Sequence, residues 1–220
     1  MKLNSLQITA AVSLLAGAAN AATFLTSGAY DAPAFEYESG TGFEAEIHDE
    51  ANDVPLDPAD HIFQINQLST TNFQSSSYYW IPSDETIASN NGVPYVGIGL
   101  EELTAGDWVS SEIAITFQSV SFTGTGAGNF VLWTDFPETL HFDSSDGEGD
   151  VLNSTAGTHV HYNWGFSDIG TYAITFGISG EHVVDGEQTG SQTYTFQVVP
   201  EPSSALLAGL GALALLRRKR

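Results

Sequence analysis

Between Ala22 and Leu216 the sequence contains no lysine and no arginine, and the whole chain contains no cysteine. The five basic residues, Lys2, Arg217, Arg218, Lys219 and Arg220, stand at the two ends, whereas all 27 acids fall between Asp31 and Glu201. Each absence removes a class of function. Without cysteine there is no thiol nucleophile, no thiolate ligand and no disulfide to brace an exported chain. Without basic residues the body has no cationic clamp for phosphate or sulfate, no catalytic lysine and no Lys–Asn isopeptide crosslink. Its negative field also repels nucleic acid and anionic lipid. What it attracts is cations, and high external salt would screen its self-repulsion. No serine lies in a Gly-x-Ser-x-Gly elbow. Carboxylate pairs of the glycosidase kind are too abundant for any one pair to be informative. The expectation is a protein that is not an enzyme and binds no nucleic acid.

The ends carry addresses. Lys2, the apolar run Leu6 to Ala19 and the small residues Ala19-Asn20-Ala21 form a secretory signal peptide over residues 1–21, with cleavage after Ala21 or Ala22. At the other end, Pro200-Glu201-Pro202 precedes an uncharged apolar run, Ser203 to Leu216, and then Arg217-Arg218-Lys219-Arg220. That run would extend about 21 Å as a helix at 1.5 Å per residue, short of a usual full span. The cationic end should stay cytoplasmic while the body lies outside.

Residues 22–198 read as one all-β domain. Short apolar–polar alternations recur without sustained helical period, divided by loops of Gly, Asn and Ser. Ile113, Ile115 and Phe117 share one face, as do Tyr172, Ile174, Phe176 and Ile178, and Tyr194, Phe196 and Val198. Gly97 and Gly99 alternate with Val96, Ile98 and Leu100, which permits close backbone approach or a bulge. Gly124, Gly126 and Gly128 form no phosphate loop, because neither a helix nor a lysine follows. The pattern predicts an antiparallel β-sandwich, Ig-like or jelly-roll-like, flanked by an N-terminal signal helix and a C-terminal hydrophobic helix.

Three stretches could carry chemistry. In Gly157 to Phe176 the strand period places His159, His161 and Asn163 on one face, with a turn at Asp168-Ile169-Gly170. Histidines two apart have Cα atoms about 6.6–6.8 Å apart, so both rings can reach one ion of the zinc or copper kind, which wants three or four ligands. His48, on a strand with Glu44 and Glu46, is the candidate third ligand if its strand neighbours this one. The alternative is a His-x-His pair that bonds only backbone and Asn163. Asp143, Asp146, Glu148 and Asp150 crowd a glycine-containing loop that could hold calcium, or serve only as an acidic turn; EF-hand spacing is not met. Tyr78, Tyr79 and Trp80 could stack on carbohydrate if exposed, or pack over a core.

The tail, residues 199–220 with a transmembrane helix at about 203–216, resembles a PEP-CTERM sorting signal: the Pro200-Glu201-Pro202 motif, the short hydrophobic helix and the basic end occur in order. The resemblance implies an exosortase-type sorting protease as partner, transient anchoring in the inner membrane and delivery to the cell surface or extracellular matrix. It also implies association with exopolysaccharide. The body is similar to the surface-anchored domain called choice-of-anchor M through Thr158 to Phe166, Gly170-Thr171-Tyr172, Gly42-Phe43-Glu44 and Ile47 to Glu50. Gly97 to Glu102 and Val131-Leu132-Trp133 fit the intervening pattern. The family's opening Gly-His-x-Asp element is here Gly28-Ala29-Tyr30-Asp31, without the histidine. Together these features imply a non-catalytic surface module. The alternatives are an extracytoplasmic domain that binds a divalent metal (Zn, Cu or Ca) and a carbohydrate-binding protein.

Overall fold

The computed structural model describes residues 21–200. The expected signal peptide, apart from Ala21, and the sorting tail beyond Pro200, including the expected helix at 203–216, lie outside the described residues. Among the described residues no helix is long and apolar enough to cross a membrane.

The body is built of strands in three sheets around a main apolar core, with a smaller apolar cluster of Phe73, Val131 and Trp133 beside it. The largest sheet has six strands. Its centre is the hairpin of β15 (Gly170–His182) and β16 (Gly186–Val199), paired from Gly170 opposite Val198 to His182 opposite Gly186. β9 (Glu112–Gly124) and then β12 (Val151–Thr155) extend it on one side. β5 (His61–Asn66) and β1 (Thr23–Leu25) extend it on the other. The alternation read from sequence holds here: Ile113, Ile115, Phe117, Tyr172, Ile174, Phe176, Ile178, Tyr194, Phe196 and Val198 are all buried. Full burial of each such side chain contributes about 1.5–3 kcal/mol.

A second sheet runs β11 (Glu138–Asp143), β10 (Phe130–Asp135), β14 (Asn163–Phe166), β7 (Ser76–Ile81), β6 (Thr70–Phe73). It turns Phe130, Trp164 and Phe166 onto Phe176 and Phe196 of the first. The third sheet, which holds the candidate site, runs β13 (His159–His161), β8 (Tyr95–Gly99), β2 (Ala29–Glu38), β3 (Gly42–Asp49), β4 (Val54–Leu56). Trp164 ties the second sheet to the third, donating from Nε1 to the Val96 carbonyl at 3.1 Å.

Three features depart from the expected architecture. β1 with β5, β5 with β16, and β2 with β8 pair in parallel, so the sheets are not purely antiparallel. A short helix, α1 (Glu85–Asn91), was not legible as a period because it spans only two turns; Asp84 caps it through the Ile87 N–H, and Gly92 ends it at φ 61°. Finally, His159 to Trp164 is not one strand. The chain changes sheets at the buried Tyr162, so that His161 pairs with Gly97 while Asn163 pairs with Trp133.

Candidate metal centre

The strand registers set the site. Across the third sheet one row reads His161, Gly97, Asp31, His48, and the next reads His159, Gly99, Ala34, Glu46. Residues in a row share a face, and this face is opposite that of Val96 and Ile98, which enter the core. The register of β2 jumps between Asp31 and Ala34, a bulge of the kind that re-aims a side chain. Asp31 stands at its start. Glu50, just beyond β3, is drawn alongside by its N–H, which donates to the Ala29 carbonyl at 3.2 Å.

The glycines make this convergence possible. A Cβ at Gly97 would overlap Oδ1 of Asp31, and would lie 2.8 Å from Nε2 of His159 and 3.0 Å from Cε1 of His161. Over that gap Nε2 of His159 lies 3.0 Å from Asp31 Oδ1 and 3.7 Å from Glu50 Oε1. Nε2 of His161 lies 3.5 Å from the same glutamate oxygen, and the two imidazole Nε2 atoms are 2.7 Å apart. One donor atom each from Asp31, Glu50, His159 and His161 falls within 4.8 Å of the others.

The electrostatics of this cluster favour a cation. Asp31 is completely buried, and apart from the His159 imidazole at 3.0 Å neither of its carboxylate oxygens has a donor; Oε1 of Glu50 is likewise buried and unpartnered. A buried ionised carboxylate without a partner costs several kcal/mol. Burial, followed by repulsion from Asp31, raises the Glu50 pKa. The neighbouring Asp31 carboxylate raises that of His159 against the effect of burial. Burial, and then His159, pushes His161 down to about 4, so its imidazole is neutral with a lone pair to give. Its ring lies flat on Tyr95, with centroids 3.5 Å apart and planes at 4°.

The two histidines singled out in the sequence therefore do meet, but their companions differ from those expected. His48 shares the row and face, yet β8 and β2 intervene between its strand and β13. Three strand spacings amount to about 14 Å, beyond one coordination sphere. Its ring instead lies 3.5 Å from Glu46 and 3.5 Å from Asp53. Asn163 is in another sheet, accepting from Trp80 Nε1 at 2.8 Å and Ser83 N–H at 3.1 Å and donating to Asp135 at 3.0 Å. Asp31 and Glu50 complete the set; Gly97 and Gly99 leave the room that Asp31 occupies, whereas no local signal pointed to Glu50.

The acidic loop after β11 brings no such group together. Asp150 accepts from the Asp143 N–H at 2.8 Å and Asp143 from the Ser145 N–H at 2.8 Å, so these carboxylates brace their own turn. Asp146 and Glu148 are exposed. Of the aromatics, Tyr78 and Trp80 pack against Phe73, Val131 and Trp133, while Tyr79 packs on the main core.

Neither the curated proteins nor the solved structures include a match to this chain. Residues 198–220 match the PEP-CTERM protein-sorting motif, which marks the chain as an exosortase substrate bound for export and the cell surface.

Proposed function

We propose that the chain is an exported, exosortase-sorted protein of the cell surface or extracellular matrix, whose body is a non-catalytic module that binds a divalent transition metal. The ligands are Asp31, Glu50, His159 and His161. The tail holds the precursor in the inner membrane with its basic end cytoplasmic until exosortase processing leaves the body outside, in contact with exopolysaccharide. The body's features of a choice-of-anchor M domain, and three sheets closed on one main core, are consistent with a sandwich-like surface domain.

The observation that carries the metal reading is the Asp31 carboxylate. It is fully buried, its oxygens have no donor but the His159 imidazole, and no lysine or arginine occurs in the body to neutralise it. A cation is the partner such a group lacks. Two nitrogen and two oxygen donors suit zinc and its first-row neighbours, whereas calcium prefers six to eight oxygens. A tetrahedral zinc would spread the two Nε2 atoms to about 3.3 Å, a small opening for side chains that are 29% and 12% exposed.

Calorimetric titration of the purified protein with Zn2+, Cu2+ and Ca2+ tests this. The expected result is one transition-metal ion bound per chain, with binding abolished by His159→Ala and by His161→Ala. No heat with zinc or copper, or equal binding by the variants, overturns it.

A further inference from the structure

The two histidines of the site are not held alike. His161 is clamped by the face of Tyr95. Among the described residues His159 has no aromatic neighbour apart from His161, and its ring reaches in two directions: Nε2 points toward Asp31 and Nδ1 toward Glu101, with Oε1 at 3.6 Å. Glu101 directly follows Leu100, whose backbone is bound to the two residues that lead into the strand bearing His159. The Leu100 N–H donates to the Thr158 carbonyl at 2.8 Å, and the Gly157 N–H donates to the Leu100 carbonyl at 2.8 Å. Gly99 then clears the path for the glutamate. A Cβ there would stand 2.9 Å from Glu101 Oε2 and 2.9 Å from Asp31 Cβ, so the carboxylate leans across an empty position toward the imidazole.

We infer, on the basis of the metal reading above, that Glu101 is the positioning residue of this centre: its Oε1, 3.6 Å from His159 Nδ1 and just outside hydrogen-bond range, closes to accept the Nδ1–H and so commits Nε2 to the ion. A neutral imidazole has one proton to place, and a carboxylate beside Nδ1 decides where it goes. Partners of this kind fix ring orientation and strengthen the ligand nitrogen, and their loss lowers metal affinity about 10–100-fold. Glu101 is not itself one of the converging donors, which are Asp31, Glu50, His159 and His161. It acts through His159 and not on the ion. The centre therefore uses two devices: a carboxylate for the histidine whose side chain is 29% exposed, and a stacked ring for the one that is 12% exposed.

The test is a titration of the full-length purified protein with Co2+, read by its visible d–d absorption, alongside calorimetry with Zn2+. Glu101→Ala should weaken both metals about 10–100-fold and shift or broaden the cobalt band. Glu101→Gln, whose amide oxygen still accepts from Nδ1–H, should restore most of the affinity and the band. The thermal midpoints of the metal-free variants, unchanged from wild type, show that folding is intact. Wild-type affinity and spectrum in Glu101→Ala overturn the positioning role and leave the metal reading standing. So does a Glu101→Gln variant no better than Glu101→Ala. A wild-type protein that gives no cobalt spectrum refutes both.

Discussion

Gly97 lies directly opposite His161 on one side and Asp31 on the other, and the space left by its missing side chain is where the Asp31 carboxylate and the His159 nitrogen converge. Two side chains separated by an intervening strand can share an ion only if that strand contributes nothing between them. Gly97→Ala should therefore expel one or both groups. The expected outcome is a loss of zinc affinity on the order of 100-fold, the upper end of what displaced supporting groups cost. Calorimetry of the variant checks it, with Gly106→Ala as the comparison, since nothing lies within 4 Å of a Cβ there.

Asp31 should show effects of opposite sign with and without metal. Its buried carboxylate has no donor but the His159 imidazole at 3.0 Å, so Asp31→Asn relieves the metal-free protein of a buried charge held by one histidine alone and introduces two N–H donors beside Glu50 and His159. Stability of that form should rise by about 1–3 kcal/mol. Binding should fall away, because the amide supplies no charge to the ion. Thermal melts with EDTA and with zinc separate the two effects. Wild type should gain about 2.7 kcal/mol at a zinc concentration 100 times Kd, and the variant almost nothing.

The inner faces of β9, β15 and β16 were legible in the sequence because burial on one face leaves a period of two, visible in Ile113-Ile115-Phe117 and Tyr194-Phe196-Val198. The site was legible only in part. His159 and His161 announce themselves by local spacing, but Asp31 and Glu50 reach them through pairings some 110 to 130 positions distant in sequence, and local pattern does not encode which strands become neighbours. His48 had the right chemistry and the right face, and still sits two strands too far away. The change of sheet at Tyr162 was hidden because an unbroken alternation from His159 to Trp164 looks the same whether or not its hydrogen-bond partners change.

Asp168 offers a test of the fold that is independent of metal. Its carboxylate accepts from Ser167 Oγ at 2.6 Å and from the Gly128 N–H at 3.0 Å, and these bonds, Ser167 first, lower its pKa below 3.8. A carboxylate depressed in the folded state contributes stability above its unfolded pKa and loses it as pH falls through the folded value. Asp168→Asn should thus be less stable than wild type at pH 6–7, and the difference should shrink below about pH 4. Urea midpoints of both proteins at pH 7 and pH 3 provide the comparison. An equal gap at the two pH values would assign the cost to packing and not to charge.

Maturation can be read from the same charge segregation that excludes so many functions. Every arginine lies at Arg217 or beyond, and no lysine or arginine occurs between Ala22 and Leu216. Exosortase cleavage near the motif at residues 198–220, together with removal of the expected signal peptide and its Lys2, would leave no tryptic site. The surface-released protein should therefore survive trypsin even after denaturation, with one intact mass before and after treatment. Replacing Pro200 and Pro202 with alanine should block processing, leave the protein in the membrane fraction and make its mass fall on trypsin treatment as the basic end is clipped. A released wild-type protein that trypsin still shortens would retain its basic tail, and the sorting step would then not be the cut that frees it.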